Sequence, residues 1–137
     1  MATKQIIVTN LEDVFGEPLK FRFPSADGEE NQEVGPGLRD VLKLFIRNLV
    51  RFHNIATQGK TFMPMEWSER ALEVAQAIRR SEKELADTIG LELQDYKWLL
   101  ERVDQYGTAF LGTSATMFKR ALEKQVEDSA NGKKENA

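Results

Sequence analysis

Apolar positions recur every second residue near the start of the chain and every three to four residues from position 38 onward. Residues 4–9, KQIIVT, are rich in β-branched side chains, and residues 19–23, LKFRF, alternate apolar with basic so that Leu19, Phe21 and Phe23 share one face. The β-branched run in the first and the period of two in the second predict strands at both places. Between them, NLEDVFGEP holds Asn10, Gly16 and Pro18, which suit a chain reversal, so residues 4–23 are expected to form an N-terminal β-hairpin. A lone hairpin is marginal in water, and this one is expected to pack on the helices that follow.

Four helical segments are expected next. In the first, residues 38–52, Leu38, Val41, Leu42, Phe45, Leu49 and Phe52 make one apolar face, widened by Ile46 and Val50, which suits a central helix. The second, residues 64–80, starts at Pro64 with Glu66 and Glu69 behind it, ends on Arg79 and Arg80, and turns Trp67, Ala71, Val74, Ala75 and Ile78 inward. The third, residues 94–106, aligns Tyr96, Leu99, Leu100, Val103 and Tyr106, with Gly107 as its stop and Trp98 well off the stripe. The fourth, from about residue 112 or somewhat earlier to 126, aligns Leu111, Ala115, Phe118, Leu122 and Val126. Residues 89–93, IGLEL, read as a short extended connector.

Residues 24–37, PSADGEENQEVGPG, have almost nothing to bury and read as an exposed acidic loop, while residues 127–137 read as a disordered tail. The expected fold is therefore mostly α with an N-terminal β-hairpin (α+β), a bundle of about four helices in one domain over residues 1–126.

Composition narrows the chemistry. At 137 residues and 41% hydrophobic, the chain suits one modest core. It has no cysteine, which excludes disulfides, thiolate metal sites and cysteine nucleophiles and fits a reducing cytoplasm. A net charge of -3 provides no global attraction to nucleic acid or to an anionic membrane surface. The N-terminus lacks a signal-peptide pattern, and the longest apolar run, residues 41–52, is interrupted by Lys43, Arg47, Asn48 and Arg51, far short of the roughly 20 apolar residues of a membrane span.

Several local patterns bear on chemistry. The turn Gly35-Pro36-Gly37 before a helix lacks the spacing and the lysine of a phosphate loop, and Pro36 removes an N–H donor, so its expected role is to deliver Leu38 into the helix. Asp27, Glu29 and Glu30 lack the ligand spacing of a calcium loop. His53, the single histidine, is expected to be structural, at the end of the first helix. The cluster Phe62, Met63, Met65 and Trp67 reads as a hydrophobic lid. With no nucleophile, metal cluster or cofactor motif standing out, the expectation is no enzyme activity, no cofactor and no metal.

The most specific feature is a basic one. Arg39, Lys43, Arg47 and Arg51 recur every four residues, drifting about 40° per step, and so draw one continuous stripe along the first helix. Such a stripe serves either as the solvated back of a buried helix or as a docking line for a partner. Together with Trp98 these four are the candidate partner-binding residues, the partner being a protein or a second copy of the chain rather than nucleic acid.

The segments GLRDVLKLFIRNLV, ERALEVAQAIRRSE and LELQDYKWLLERVDQYG, followed by FKRALE, resemble the small helical proteins encoded by phages and prophages. Leu38, Leu42, Leu49, Ala75, Ile78, Leu93, Asp95, Leu99 and Leu122 carry the likeness. It implies a structural or assembly protein acting through protein–protein contacts in the host cytoplasm or the virion. The alternative is a soluble inhibitor or adaptor that binds a host protein, with hairpin and acidic loop as its decoy surface.

Overall fold

The computed structural model describes residues 3–24 and 31–124. Strands β1 (Thr3–Ile7), β2 (Phe21–Pro24) and β3 (Asn31–Val34) precede helices α1 (Leu38–Arg47), α2 (Leu49–Thr57) and α3 (Met65–Lys83). Strand β4 (Thr88–Glu92), helix α4 (Leu93–Leu111), a single 3-10 turn (Gly112–Ser114) and helix α5 (Ala115–Glu123) complete the described chain. The architecture is α+β and mostly helical, as the periodicity predicts.

The pairing of the strands differs from expectation. Strand β1 runs antiparallel to β4, with Ile6 opposite Ile89 and Lys4 opposite Leu91, so residues 89–93 are largely strand and no hairpin joins residues 4–9 to 19–23. Ile6, Ile89 and Leu91 are all buried, and pairing these two segments covers one side of the core with a continuous apolar surface. The turn formers between them do reverse the chain, but locally. The Leu19 N–H donates to the Leu11 carbonyl at 2.9 Å, and the Asp13 carboxylate accepts from the N–H groups of Phe15 and Glu17 at 2.8 and 3.0 Å.

Strand β2 pairs instead with β3, Phe21 opposite Val34, inside the stretch expected to be loop. A strand needs only its partner's backbone and one buried side chain to form, here Val34, which is why so polar a sequence as NQEV gave little sign of it. The acidic residues Asp27, Glu29 and Glu30 lie outside the described residues, as does the tail expected over residues 127–137.

The first expected helix is two. The Asn48 side chain donates to the Leu44 carbonyl at 2.9 Å, the acceptor its own N–H would use in an unbroken helix, and that N–H turns to Phe45 at 3.2 Å instead. Helix α1 ends there and α2 restarts at Leu49, closing at Gln58 in the left-handed conformation.

Helix α4 is longer than expected, because Gly107 does not stop it. A Cβ at Gly107 would lie 3.2 Å from the Ala115 methyl, so this glycine lets α5 approach α4 closely, and the chain turns only at Gly112, where φ is 59°. Lys119 of α5 and Asp104 of α4 clasp the same pair of helices at 2.6 Å, a hydrogen bond that pushes the Lys119 ammonium above its ordinary pKa. Around α4 pack α2, α3, α5, β1 and β4. Phe45, Phe52, Phe110 and Phe118 meet ring to ring at 5.5 to 6.1 Å at the centre of one hydrophobic cluster.

Gly35, between β3 and α1, has φ of 102°, and a Cβ on it would collide with the Leu19 carbonyl oxygen. Gly35→Ala is therefore expected to destabilise the fold by about 2–4 kcal/mol, read as a lowered urea midpoint. Gly59→Ala has an equally left-handed φ of 74° but open space around it, and should cost only about 1 kcal/mol.

Candidate functional site

Helix α1 sends the first two residues of the basic stripe inward. Arg39 Nη1 donates to Ser81 Oγ at 2.8 Å and to the Ala86 carbonyl at 3.0 Å, and Ser81 Oγ in turn donates to the Thr88 carbonyl at 2.9 Å. Lys43 Nζ meets Glu82 Oε2 at 2.7 Å. Both side chains thus strap α1 to the last turn of α3 and the turn that leads into β4.

The stripe is consequently not one continuous docking line. Arg39 and Lys43 are half-buried in internal contacts, whereas Arg47 ends α1 exposed and Arg51 lies exposed on α2, beyond the break at Asn48. Constant four-residue spacing made them collinear only on the assumption of one helix.

Trp98 is also placed differently from the expectation of an indole on an open face. It is 8% exposed, because α3 packs against the flank of α4 that lies outside the main apolar stripe. On that flank the Arg102 guanidinium lies 4.0 Å from the centre of the Trp67 ring and 5.8 Å from that of Trp98, a cation placed between two indoles. Two turns of α4 carry this arrangement, since Trp98, Arg102 and Tyr106 are spaced by four. That spacing was the available signal for Arg102, a cation set between aromatics on one helix face.

His53 joins the same cluster from α2. It sits within that helix, not at an end, and is buried. Its Nδ1 lies 3.1 Å from the Tyr106 hydroxyl and its Nε2 3.1 Å from Thr61 Oγ1, while the Trp67 ring meets it edge to face at 5.7 Å. A neutral imidazole donates through one nitrogen and accepts at the other, so one hydroxyl accepts from the ring and the other donates to it. This is the structural histidine that the sequence suggests, with both nitrogens satisfied.

Burial pushes the Tyr106 phenol above its ordinary pKa, an effect the nearby Arg102 charge opposes. Burial likewise pulls Arg102 down, against the attraction of Glu101 and Tyr106. Two donors of the cluster, Trp98 Nε1 and Arg102 Nε, are buried without a hydrogen-bond partner among the described residues. The chain Thr61–His53–Tyr106 includes no carboxylate to polarise the imidazole, and its geometry ties α2, the loop before α3 and α4 together.

Other polar groups gather at an open groove. Glu66, Glu69, Glu73 and Glu92 line a groove of about 580 Å³ with Gln94 and the Arg70–Asp95 ion pair, whose atoms are 2.9 Å apart. Among the described residues no cluster of three or more histidines and carboxylates has the geometry to hold a metal ion. At the glycine turn before α1, the Leu38 N–H donates to the Thr9 carbonyl at 3.0 Å, so the backbone there holds the chain entering the helix. No helix among the described residues is long and apolar enough to cross a membrane.

Tyr106→Phe keeps the ring and leaves His53 Nδ1 without a partner, and is expected to cost about 1–2 kcal/mol at neutral pH. A phenol held above its unfolded pKa stabilises the fold below that value and loses the contribution as pH rises through the folded one. The stability advantage of the wild type over Tyr106→Phe should therefore shrink above about pH 10, measured by paired urea titrations. An advantage that grows with pH there would contradict the assignment.

The chain matches no known family model, no curated protein and no solved structure.

Proposed function

We propose that this chain is a non-enzymatic interaction protein of the structural or assembly kind, working through protein–protein contacts. The observation that supports this is an accumulation of large apolar side chains in water between residues 50 and 72. Val50 and Ile55 on α2, Phe62 in the loop, and Met65 and Leu72 on α3 are all more than half exposed, Phe62 almost completely at 98%, so Val50 does not widen the core face of the first helix and Phe62 and Met65 do not cover the bundle as a lid. Scattered exposed leucines are ordinary in a protein surface, but several large apolar residues gathered on two successive helices and the segment that connects them support an interaction role.

Of the stripe, Arg47 and Arg51 belong to this reading, since they flank Val50 on the outward side of α1 and α2. Arg39, Lys43 and Trp98 contribute to the fold beneath it. On this reading the assembly would be a virion or a complex in the host cytoplasm, as the resemblance of its sequence to phage-encoded helical proteins implies.

The experiment is incorporation into particles. The full chain, produced in its native cell, is expected in purified assemblies at fixed stoichiometry. The exposed pair Ile55→Ser with Phe62→Ser should reduce incorporation at least about tenfold without lowering the unfolding midpoint. A chain absent from assemblies, held one-to-one by a single host factor, would be the inhibitor or adaptor instead.

A further inference from the structure

Helix α3 carries its own complement. On its solvent side, Met65, Glu69, Leu72, Gln76, Arg79 and Lys83 are all exposed and follow one another by alternating steps of four and three residues, the spacing of a seam between two packed helices. Charge is segregated along that seam. Glu66, Glu69 and Glu73 occupy the first half and Arg79, Arg80 and Lys83 the second, and none of the six forms an ion pair among the described residues.

From this we infer that α3 docks antiparallel on α3 of a second copy of the chain, forming a two-fold symmetric dimer. The inference rests on the interaction reading above and deepens it by naming the partner. A parallel arrangement would set every acid on an acid and every base on a base, whereas the antiparallel one does so only at Glu73, which meets Glu73 of the second copy near the axis. The antiparallel one brings Glu69 level with Arg79 of the second copy and Glu66 near its Arg80, and repeats both contacts by symmetry.

The same register places Leu72 level with Gln76 of the second copy, so that the two leucines lie on either side of the axis. Met65, 75% exposed, falls level with Lys83 of the second copy, beside a concavity of about 530 Å³ lined by Gln76, Arg79, Arg80, Glu82 and Lys83. An apolar side chain at each end of the seam thus meets a depression at the other. A foreign partner would need this same order of acids, leucine and bases in reverse, and the chain already supplies it.

The test is sedimentation velocity on the full chain with two charge-swapped variants. One carries Arg79→Glu and Arg80→Glu, the other Glu66→Arg and Glu69→Arg, all at exposed positions where circular dichroism should show unchanged helicity. Wild type is expected to dimerise. Each variant alone should lose at least about tenfold in self-affinity, and the two mixed should recover a dimer, since one seam is then acidic and the other basic. A monomeric wild type, a dimer untouched by either variant, or a mixture that fails to recover overturns the inference. Particle incorporation is read separately: a monomer still found in assemblies leaves the interaction reading standing, and a dimer absent from them overturns that reading alone.

Discussion

Helix α4 carries Tyr96, Leu99, Val103, Tyr106 and Phe110 on one side and Trp98 on the adjoining flank, and a helix apolar over about half its circumference must be covered by other elements to exist in water. Each neighbour meets part of that requirement. Helix α5 reaches it closely because Gly107 has no side chain, α2 brings Phe52 and His53, and α3 brings Trp67 over Arg102, whose guanidinium also faces Trp98. The β1–β4 pair closes the remaining side, with Tyr96 tied by its hydroxyl to the Leu122 carbonyl at 3.1 Å.

Polar groups fix how those elements sit on the core. Hydrophobic burial is non-directional and sets no register by itself. Arg39 reaching Ser81 and the Ala86 carbonyl, His53 between Tyr106 and Thr61, and Arg102 between two indoles each have few satisfactory geometries. The side chains that most resembled partner ligands in the sequence are thus largely occupied in orienting helices. The outward side of α2 and α3 keeps Val50, Ile55, Met65 and Leu72 in water, and it is this side that the interaction proposal rests on.

Much of the fold was legible because helical period is a local property. Leu38, Val41, Leu42 and Phe45 face the core as their spacing predicts, as do Val74 and Ile78, and Phe118 and Leu122. Strand pairing was not legible. Nothing near Ile6 indicates that its partner is Ile89 rather than a residue beyond the next turn, since the choice depends on which apolar surface α4 leaves open. The candidate site divides along the same line. The outward charges of α3 follow from its spacing, but the fates of Arg39, Lys43 and Trp98 depended on where α3 itself packs.

By itself, then, the sequence determined which stretches are helical though not where each helix breaks or ends, most of each apolar face with Val50 the exception, the reversal around Gly16, and a structural role for the single histidine. Each is encoded within one or two turns of chain. Tertiary structure alone decided the β1–β4 and β2–β3 pairings, the burial of Trp98 beside Arg102, and the splitting of the basic stripe into an internal strap and an exposed end. The reason is physical: a side chain's direction is set by its own backbone, but whether water or another helix lies in that direction is set by residues distant in the chain.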